Sequence, residues 1–389
     1  MLDIEKPRNA IRGEGLSAWF LSNVFHRDEV ADLVLGVSPE KTNTRPWLCL
    51  LFPDKPPVKI VHVIERSILD HVPGKTITYG TWEDLGAALS RSVPHRAEIA
   101  ADFSRDIPVG SFLDHGMALL VEAAGCTLVP AEALVARCLG TLDAEGRRSH
   151  DAAARVLHAV VGEAWAFARE RLAAGAALHE GDMRDLVQER VSAAGLVGGE
   201  PPLVACGINS GDPHYTASGR GARIAEGDVV QLDLWAREDS PAAVFADISW
   251  VGIAARSPSP GQKTVFDAVV EAREAAVDYL QKKLQKGISV SGSEVDAEAR
   301  RVLVSRGFSR ALRHRTGHSI GHRVHGFGVN LDSVEFPDNR AIPDGACFSI
   351  EPGVYLDDFG MRTEIDCCIS NGRLDVTGPG RQMALLTLG

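Results

Sequence analysis

The 389-residue sequence lacks the features that would tie it to a membrane, a disulfide framework or a nucleotide. No run of about 18 apolar residues occurs, which excludes a membrane-spanning helix. The stretch Met1 to Gly13 is charged and holds no apolar segment of the kind a secretion signal needs. The seven cysteines (Cys49, Cys126, Cys138, Cys206, Cys347, Cys367, Cys368) are an odd number, and none are spaced C-x-x-C. That excludes a zinc ribbon and points to reduced, buried thiols. Positive charge is in deficit: 41 Lys and Arg stand against 52 Asp and Glu, a net charge of -11, which argues against nucleic acid as a partner. Residues 1–140 contain no G-x-G-x-x-G or Walker pattern, and the chain has no G-x-S-x-G elbow or context for a cysteine nucleophile. These absences predict a cytoplasmic protein with neither a membrane nor a nucleic-acid partner.

Its composition is that of a folded protein, 45% hydrophobic and 24% charged, and the length suggests two or three domains. Residues 1–140 read as a small α/β domain. Candidate strands are Leu16–Leu21, Leu48–Phe52, Val58–Val63, Glu98–Phe103 and Cys126–Val129, with helices at Trp82–Arg91 and Ser111–Ala124. The scattered histidines here (His26, His62, His71, His95, His115) read as surface or satisfied core residues. From Asp151 the apolar residues recur at helical steps, through Val156, Leu157, Val160, Val161, Ala164 and Ala168. A second helix starts at Gly181-Asp182 and stops near Gly195. Two more follow, one through Phe266–Leu284 with Gly287 as its stop, and one from Glu294 to Arg306.

Each helix pair precedes a unit bearing two carboxylates. In the first, Ile224-Ala225-Glu226-Gly227 leads to Asp233, and Asp247 follows 14 positions later. In the second, Ile342-Pro343-Asp344-Gly345 leads to Glu351, and Glu364 follows 13 positions later. The leads have the same length, 9 positions each. Either unit alone could be two ordinary strands with exposed acids. The repetition predicts an α+β domain over 141–389 whose pseudo-twofold halves converge four carboxylates on a central antiparallel sheet. Between the units, His314, His318, His322 and His325 lie within twelve residues. Arg315 stands where H-E-x-x-H requires its glutamate, and Gly317 and Gly321 disfavour a helix, so this run reads as a loop carrying one ligand and substrate-facing imidazoles. His322 is the candidate bystander. Four converging carboxylates need a counter-charge, and only Arg362 lies beside them. Two divalent ions with a bridging water would serve better, and carboxylate-rich ligation suits Mn²⁺, with Co²⁺ or Zn²⁺ also compatible.

In the order Asp, Asp, His, Glu, Glu, these motifs resemble the pita-bread metallopeptidases, the group of Xaa-Pro aminopeptidases, prolidases and methionine aminopeptidases. The resemblance covers about residues 150 to 385, while residues 1–140 resemble the amino-terminal domain of the proline-specific and creatinase branch. It implies that Asp233 chelates one ion, that His318 and Glu351 chelate the other, and that Asp247 and Glu364 bridge them. It also implies that His325 holds the substrate carbonyl, that Glu351 shuttles the proton, that His214 lines the substrate pocket, that His314 is a further active-site histidine, and that Arg362 sits beside the bridging ligand. Three departures stand out: Trp235 in place of a glycine, Trp250 in place of an arginine, and a longer connection between Asp233 and Asp247. The activity implied is removal of an amino-terminal residue preceding proline from short peptides, or alternatively cleavage of Xaa-Pro dipeptides, by a chain compatible with a homodimer. A creatinase-like non-peptide hydrolase or a non-catalytic pita-bread binding protein would have lost the ligands that this chain keeps.

Overall fold

The computed structural model describes residues 3–389, and the chain divides into two units, Met1–Leu139 and Gly140–Gly389. The first runs α1 (Glu5–Gly13), β1 (Ala18–Asn23), α2 (Glu29–Leu35), β2 (Trp47–Leu51), β3 (Val58–His62), β4 (Lys75–Tyr79), α3 (Trp82–Ser92), β5 (Glu98–Ala101), α4 (His115–Glu122), β6 (Thr127–Pro130) and α5 (Glu132–Leu139). The strands form one mixed sheet in the order β4-β3-β2-β1-β5-β6. β1–β2 and β2–β3 are antiparallel, and the other pairs are parallel. The five expected strands and the two helices are present, but sequence reading passed over α1, α2, α5 and β4. The helices α1, α2 and α5 are 9, 7 and 8 residues long, too short to build a clear apolar period. β4 is mostly exposed and so lacks the apolar alternation of a half-buried strand.

The second unit runs α6 (Ala144–Ala173), α7 (Glu180–Ala193), β7 (Leu196–Val197), β8 (Leu203–Cys206), β9 (Val229–Glu238), β10 (Ala246–Ile253), α8 (Pro260–Gln285), α9 (Gly292–Ser305), β11 (Cys347–Ile350), β12 (Gly353–Tyr355), β13 (Gly360–Arg362), β14 (Ile365–Ser370), β15 (Arg373–Val376) and β16 (Leu386–Thr387). Two helices followed by strands therefore occur twice, as expected. α6 starts seven residues before Asp151, because the Asp143 carboxylate caps it by accepting the Gly146 N–H at 2.8 Å. β7, β8 and β10 pair antiparallel with β9, and β16 pairs parallel with β10. β11-β14-β15 form the corresponding antiparallel sheet of the second half, and β12 and β13 a separate ribbon.

The cores repeat as well. One packs α6 and α7 (Leu157, Trp165, Met183, Val187) onto Leu232, Leu234 and Ile248. The other packs α8 and α9 (Phe266, Val269, Val295, Leu303) onto Phe348, Ile350 and Ile365. Backbone bonds join the halves: the Glu364 N–H donates to Ser249 O at 3.0 Å, and the Gln231 side chain binds the Arg362 backbone through both its amide groups. Among the described residues no helix is long and apolar enough to cross a membrane.

Candidate metal centre

Strand alternation places the first pair of acids. In the antiparallel register Asp233 stands opposite Ser249, and Asp247 opposite Trp235. Residues two apart share a face, so all four side chains project from the same side of the sheet. In the second half Ile350 pairs with Ile365, which puts Glu351 and Glu364 just beyond that pair, side by side. The histidine run contains no helix. It lies along β11 instead: the His318 N–H donates to Ser349 Oγ at 3.0 Å, its carbonyl accepts the Ser349 N–H at 2.9 Å, and the Glu351 N–H donates to Thr316 O at 2.7 Å. The approach is close enough that a Cβ on Gly317 would lie 2.0 Å from the Ser349 carbonyl oxygen, so only glycine fits there.

Asp247, His318 and Glu364 are buried and offer ligand atoms all within 4.8 Å of one another. His318 Nε2 lies 3.6 Å from Asp247 Oδ2, 3.4 Å from Glu351 Oε1 and 3.9 Å from Glu364 Oε1. Asp247 Oδ1 and Glu364 Oε1 are buried without a hydrogen-bond partner. Burial first, then repulsion from neighbouring carboxylates, raises both carboxyls well above their ordinary range. Burial likewise pushes His318 down to about 4, so its ring is neutral and able to ligate. Orphaned oxygens beside a neutral imidazole fit a divalent cation, since unpaired buried acceptors are otherwise costly.

Arg362 offsets the remaining acids. It donates to Asp233 Oδ2 at 2.5 Å, to Ser249 Oγ at 3.1 Å and to Tyr355 OH at 3.0 Å, and lies 3.6 Å from Glu351 Oε2. Burial opposes its charge, but Tyr355, Asp233 and Glu351 outweigh that and keep it protonated. Ser249 Oγ lies 2.7 Å from Asp233 Oδ1 and 3.1 Å from Glu364 Oε2, spanning the two halves. His314 Nδ1 donates to Arg315 O at 2.6 Å, so Nε2 must accept from Tyr355 OH at 2.7 Å. Both nitrogens of His314 are thus engaged, and the ring extends the relay that begins at Arg362.

A cavity of about 820 Å³ opens over the cluster, lined by Asp233, Asp247, His318, Glu351, Arg362 and Glu364, and by His214, His314, Arg315, His325, Tyr215 and Trp235. Every residue proposed from sequence for this site therefore lines one cavity. His325 is open to the cleft and stacks edge-on against His318, with ring centres 4.3 Å apart; the surrounding protein, then His318 and Arg315, lower its pKa. His214 is exposed on the cleft wall. His322 bonds to Ala243 O and is absent from the lining. Trp235 forms part of the wall, whereas Trp250 points to the opposite face and packs against the first core, edge-on to His158. Sequence reading assigned no role to Ser249, Tyr355, Arg315 or Glu180. Ser249 alone carried a local signal, two positions after Asp247 on the same strand face.

Metallopeptidase family M24 matches residues 146–371. The chain is 29% identical over 166 residues to the Xaa-Pro dipeptidase of Lactobacillus helveticus, covering 42% of this chain and 40% of that protein. It is 30% identical over 183 residues to the Xaa-Pro dipeptidase of Pyrococcus horikoshii, covering 46% and 48%. The matched region thus spans less than half the length of these curated relatives. Among solved structures, dipeptidase PepE from Mycobacterium ulcerans superposes with a TM-score of 0.73 at 20% identity, over 99% of this chain and 96% of that one. The Xaa-Pro dipeptidase from Bacillus anthracis superposes at 0.67 and 19%, over 99% and 98%. These structures share the fold, the pita-bread α+β architecture with its preceding α/β domain. With more than half of its length matched, the chain belongs to metallopeptidase family M24.

Proposed function

We propose that the chain is a divalent-metal-dependent peptidase that hydrolyses short Xaa-Pro peptides, dipeptides in preference to longer ones. The observation that carries this reading is the pair of buried, unpartnered oxygens on Asp247 and Glu364, set around His318 Nε2 at the floor of a cavity that also holds His325 and Arg315. His318 and Glu351 would hold one cation and Asp233 the other, with Asp247 and Glu364 shared, and Mn²⁺ suits this oxygen-rich set. When bound, the cations supply the positive charge that four crowded carboxylates need, polarise a carbonyl and acidify water.

The chain's own groups divide the remaining tasks. The neutral ring of His325 donates a hydrogen bond to the scissile carbonyl oxygen as charge develops on it. Glu351, 3.4 Å from His318 and 3.6 Å from Arg362, takes and returns a proton at a carboxylate oxygen. Arg362 holds Asp233 in place and, through Tyr355, orients His314. Trp235 and Val324 provide apolar wall for the proline ring, with His214 opposite.

The preference for dipeptides rests on Arg315. Arg315 lines the cavity and makes no ion pair among the described residues, while its carbonyl accepts from His314 Nδ1 and the following Thr316 N–H binds Asp296 Oδ1. A positioned, unpaired guanidinium fits a free substrate carboxylate. The Xaa-Pro dipeptidases among the relatives are consistent with that. Xaa-Pro, carboxy-amidated Xaa-Pro, Xaa-Pro-Yaa and Xaa-Ala-Yaa peptides should be compared with Mn²⁺ present. Xaa-Pro should be cleaved best, and Arg315→Ala should raise KM for Xaa-Pro while leaving the amidated peptide unaffected. Equal cleavage of the alanine series would remove the proline preference.

A further inference from the structure

A second group of metal-capable side chains lies behind Asp247, outside the cleft. His150 on α6, Cys347 on β11 and Cys368 on β14 present donor atoms all within 4.8 Å of one another. Cys347 and Cys368 stand directly opposite each other in the β11–β14 register. Asp366, two residues before Cys368, shares its strand face, and its Oδ2 lies 3.8 Å from His150 Nε2. The four residues are 0%, 1%, 2% and 1% exposed, and Asp366 Oδ1 is buried without a partner. The chemistry described above uses none of these donor atoms.

We propose that His150, Cys347, Cys368 and Asp366 form a separate site for a thiolate-preferring divalent cation of the zinc type. Two cysteines, one histidine and one carboxylate are a tetrahedral zinc donor set, softer than the oxygen-rich cleft cluster. Donors bound at about 2.1 and 2.3 Å to one tetrahedral centre stand about 3.6 Å apart. Cys347 Sγ lies 3.8 and 3.9 Å from the His150 ring nitrogens and Asp366 Oδ2 lies 3.8 Å from Nε2, so the three-residue group is near that spacing, and Asp366, outside that group, must swing its carboxylate inward to supply the fourth donor.

The histidine is already in the required tautomer. Nδ1 donates to Phe245 O at 2.6 Å, the orienting bond usual for a ligating imidazole, which leaves the Nε2 lone pair available. Nε2 accepts from the Thr377 hydroxyl at 2.9 Å, and that hydroxyl has a second acceptor in Asp366 O at 3.4 Å when the lone pair goes to a metal. As the cation enters, the two thiol protons leave, and two thiolates with one carboxylate give the filled site a net charge of -1. Asp366 Oδ2 also accepts the Asp247 backbone N–H at 2.8 Å. The site therefore ties α6 of the first half to β11 and β14 of the second, immediately behind a cleft carboxylate.

The test uses full-length protein, reduced and depleted of metal, titrated with Co²⁺. The cleft cluster has no sulfur, so a thiolate-to-cobalt charge-transfer band reports only the new site. The band should saturate at one Co²⁺ per chain, disappear on adding Zn²⁺, vanish in Cys347→Ser and in Cys368→Ser, and persist in Asp233→Asn. Cobalt taken up by the wild-type chain without this band overturns the proposal, as does a band that survives Cys368→Ser. The wild-type measurement is decisive even where a variant fails to fold, and it does not depend on peptide hydrolysis.

Discussion

Glu180 has the most testable role among the groups that shape the cleft without entering it. It is fully buried at the start of α7, and its carboxylate receives four donors. The Cys206 N–H and Asn209 Nδ2 bind Oε1, both at 2.9 Å, while Tyr215 OH and the Ala222 N–H bind Oε2 at 2.9 and 2.7 Å. These donors bracket the segment 206–222 that carries His214 and Tyr215. A Cβ at Gly221 would lie 2.5 Å from Oε2, and its φ of +69° favours glycine independently. In Glu180→Gln one oxygen still serves two donors and Tyr215 OH can turn to accept, but the Ala222 N–H faces an N–H. Three bonds lose the strengthening of a charged acceptor, and one buried donor is orphaned at about 1–3 kcal/mol, for a total of roughly 3–5 kcal/mol. Amide exchange at Cys206 and Ala222 should accelerate on the order of 10²–10⁴-fold through local opening. KM for an Xaa-Pro peptide should rise with the metal content unchanged. Exchange within about threefold of wild type would show that the carboxylate does not anchor this wall, because that bounds the loss below about 1 kcal/mol.

Four further outcomes follow from the geometry. Gly317→Ala should displace the His318 segment from β11, destabilise the protein by roughly 1–3 kcal/mol or more, and reduce the metal bound, read by thermal unfolding and metal analysis. His325→Ala should lower kcat by roughly 10²–10³ with metal stoichiometry intact, the scale of losing one oxyanion donor, and loss of metal instead would reassign the residue. Asp247→Asn should abolish turnover and weaken cation binding, yet stabilise the metal-free protein near neutral pH, because it removes a buried carboxyl that burial and its neighbours disfavour as an anion; denaturant unfolding with chelator present gives the sign. In the first unit, burial raises Asp28 to about 7, and Asp102 beside it is raised as well. Folded carboxyls that keep their protons make this pair's stabilisation complete below about pH 4 and lose it as the pH rises toward 7. Asp28→Asn, which can still cap α2, should flatten that dependence by on the order of a few kcal/mol.

Legibility in the sequence follows how each feature is encoded. Asp233 and Asp247 were readable because one hairpin register carries them, and the second half repeats the arrangement with Glu351 and Glu364. The glycines around His318 marked its run as a loop, but the choice of His318 within that run came from the family resemblance; the close approach at Gly317 has that glycine as its local trace. Arg362 was found as a neighbour in sequence, but its bonds to Tyr355 and Ser249 were not, since they depend on how β10, β12 and β13 meet. Glu180 had no readable signal: it is one acid at a helix start, and its partners lie 26 to 42 residues away. The same holds for His150, whose relation to Cys347 spans 197 residues and depends on how the start of α6 meets β11. Periodicity encodes which face a residue occupies, whereas these groups depend on which faces meet. A carboxylate ladder therefore reveals itself within one strand pair, while a buried acid that braces a loop becomes visible only when its four donors are in place.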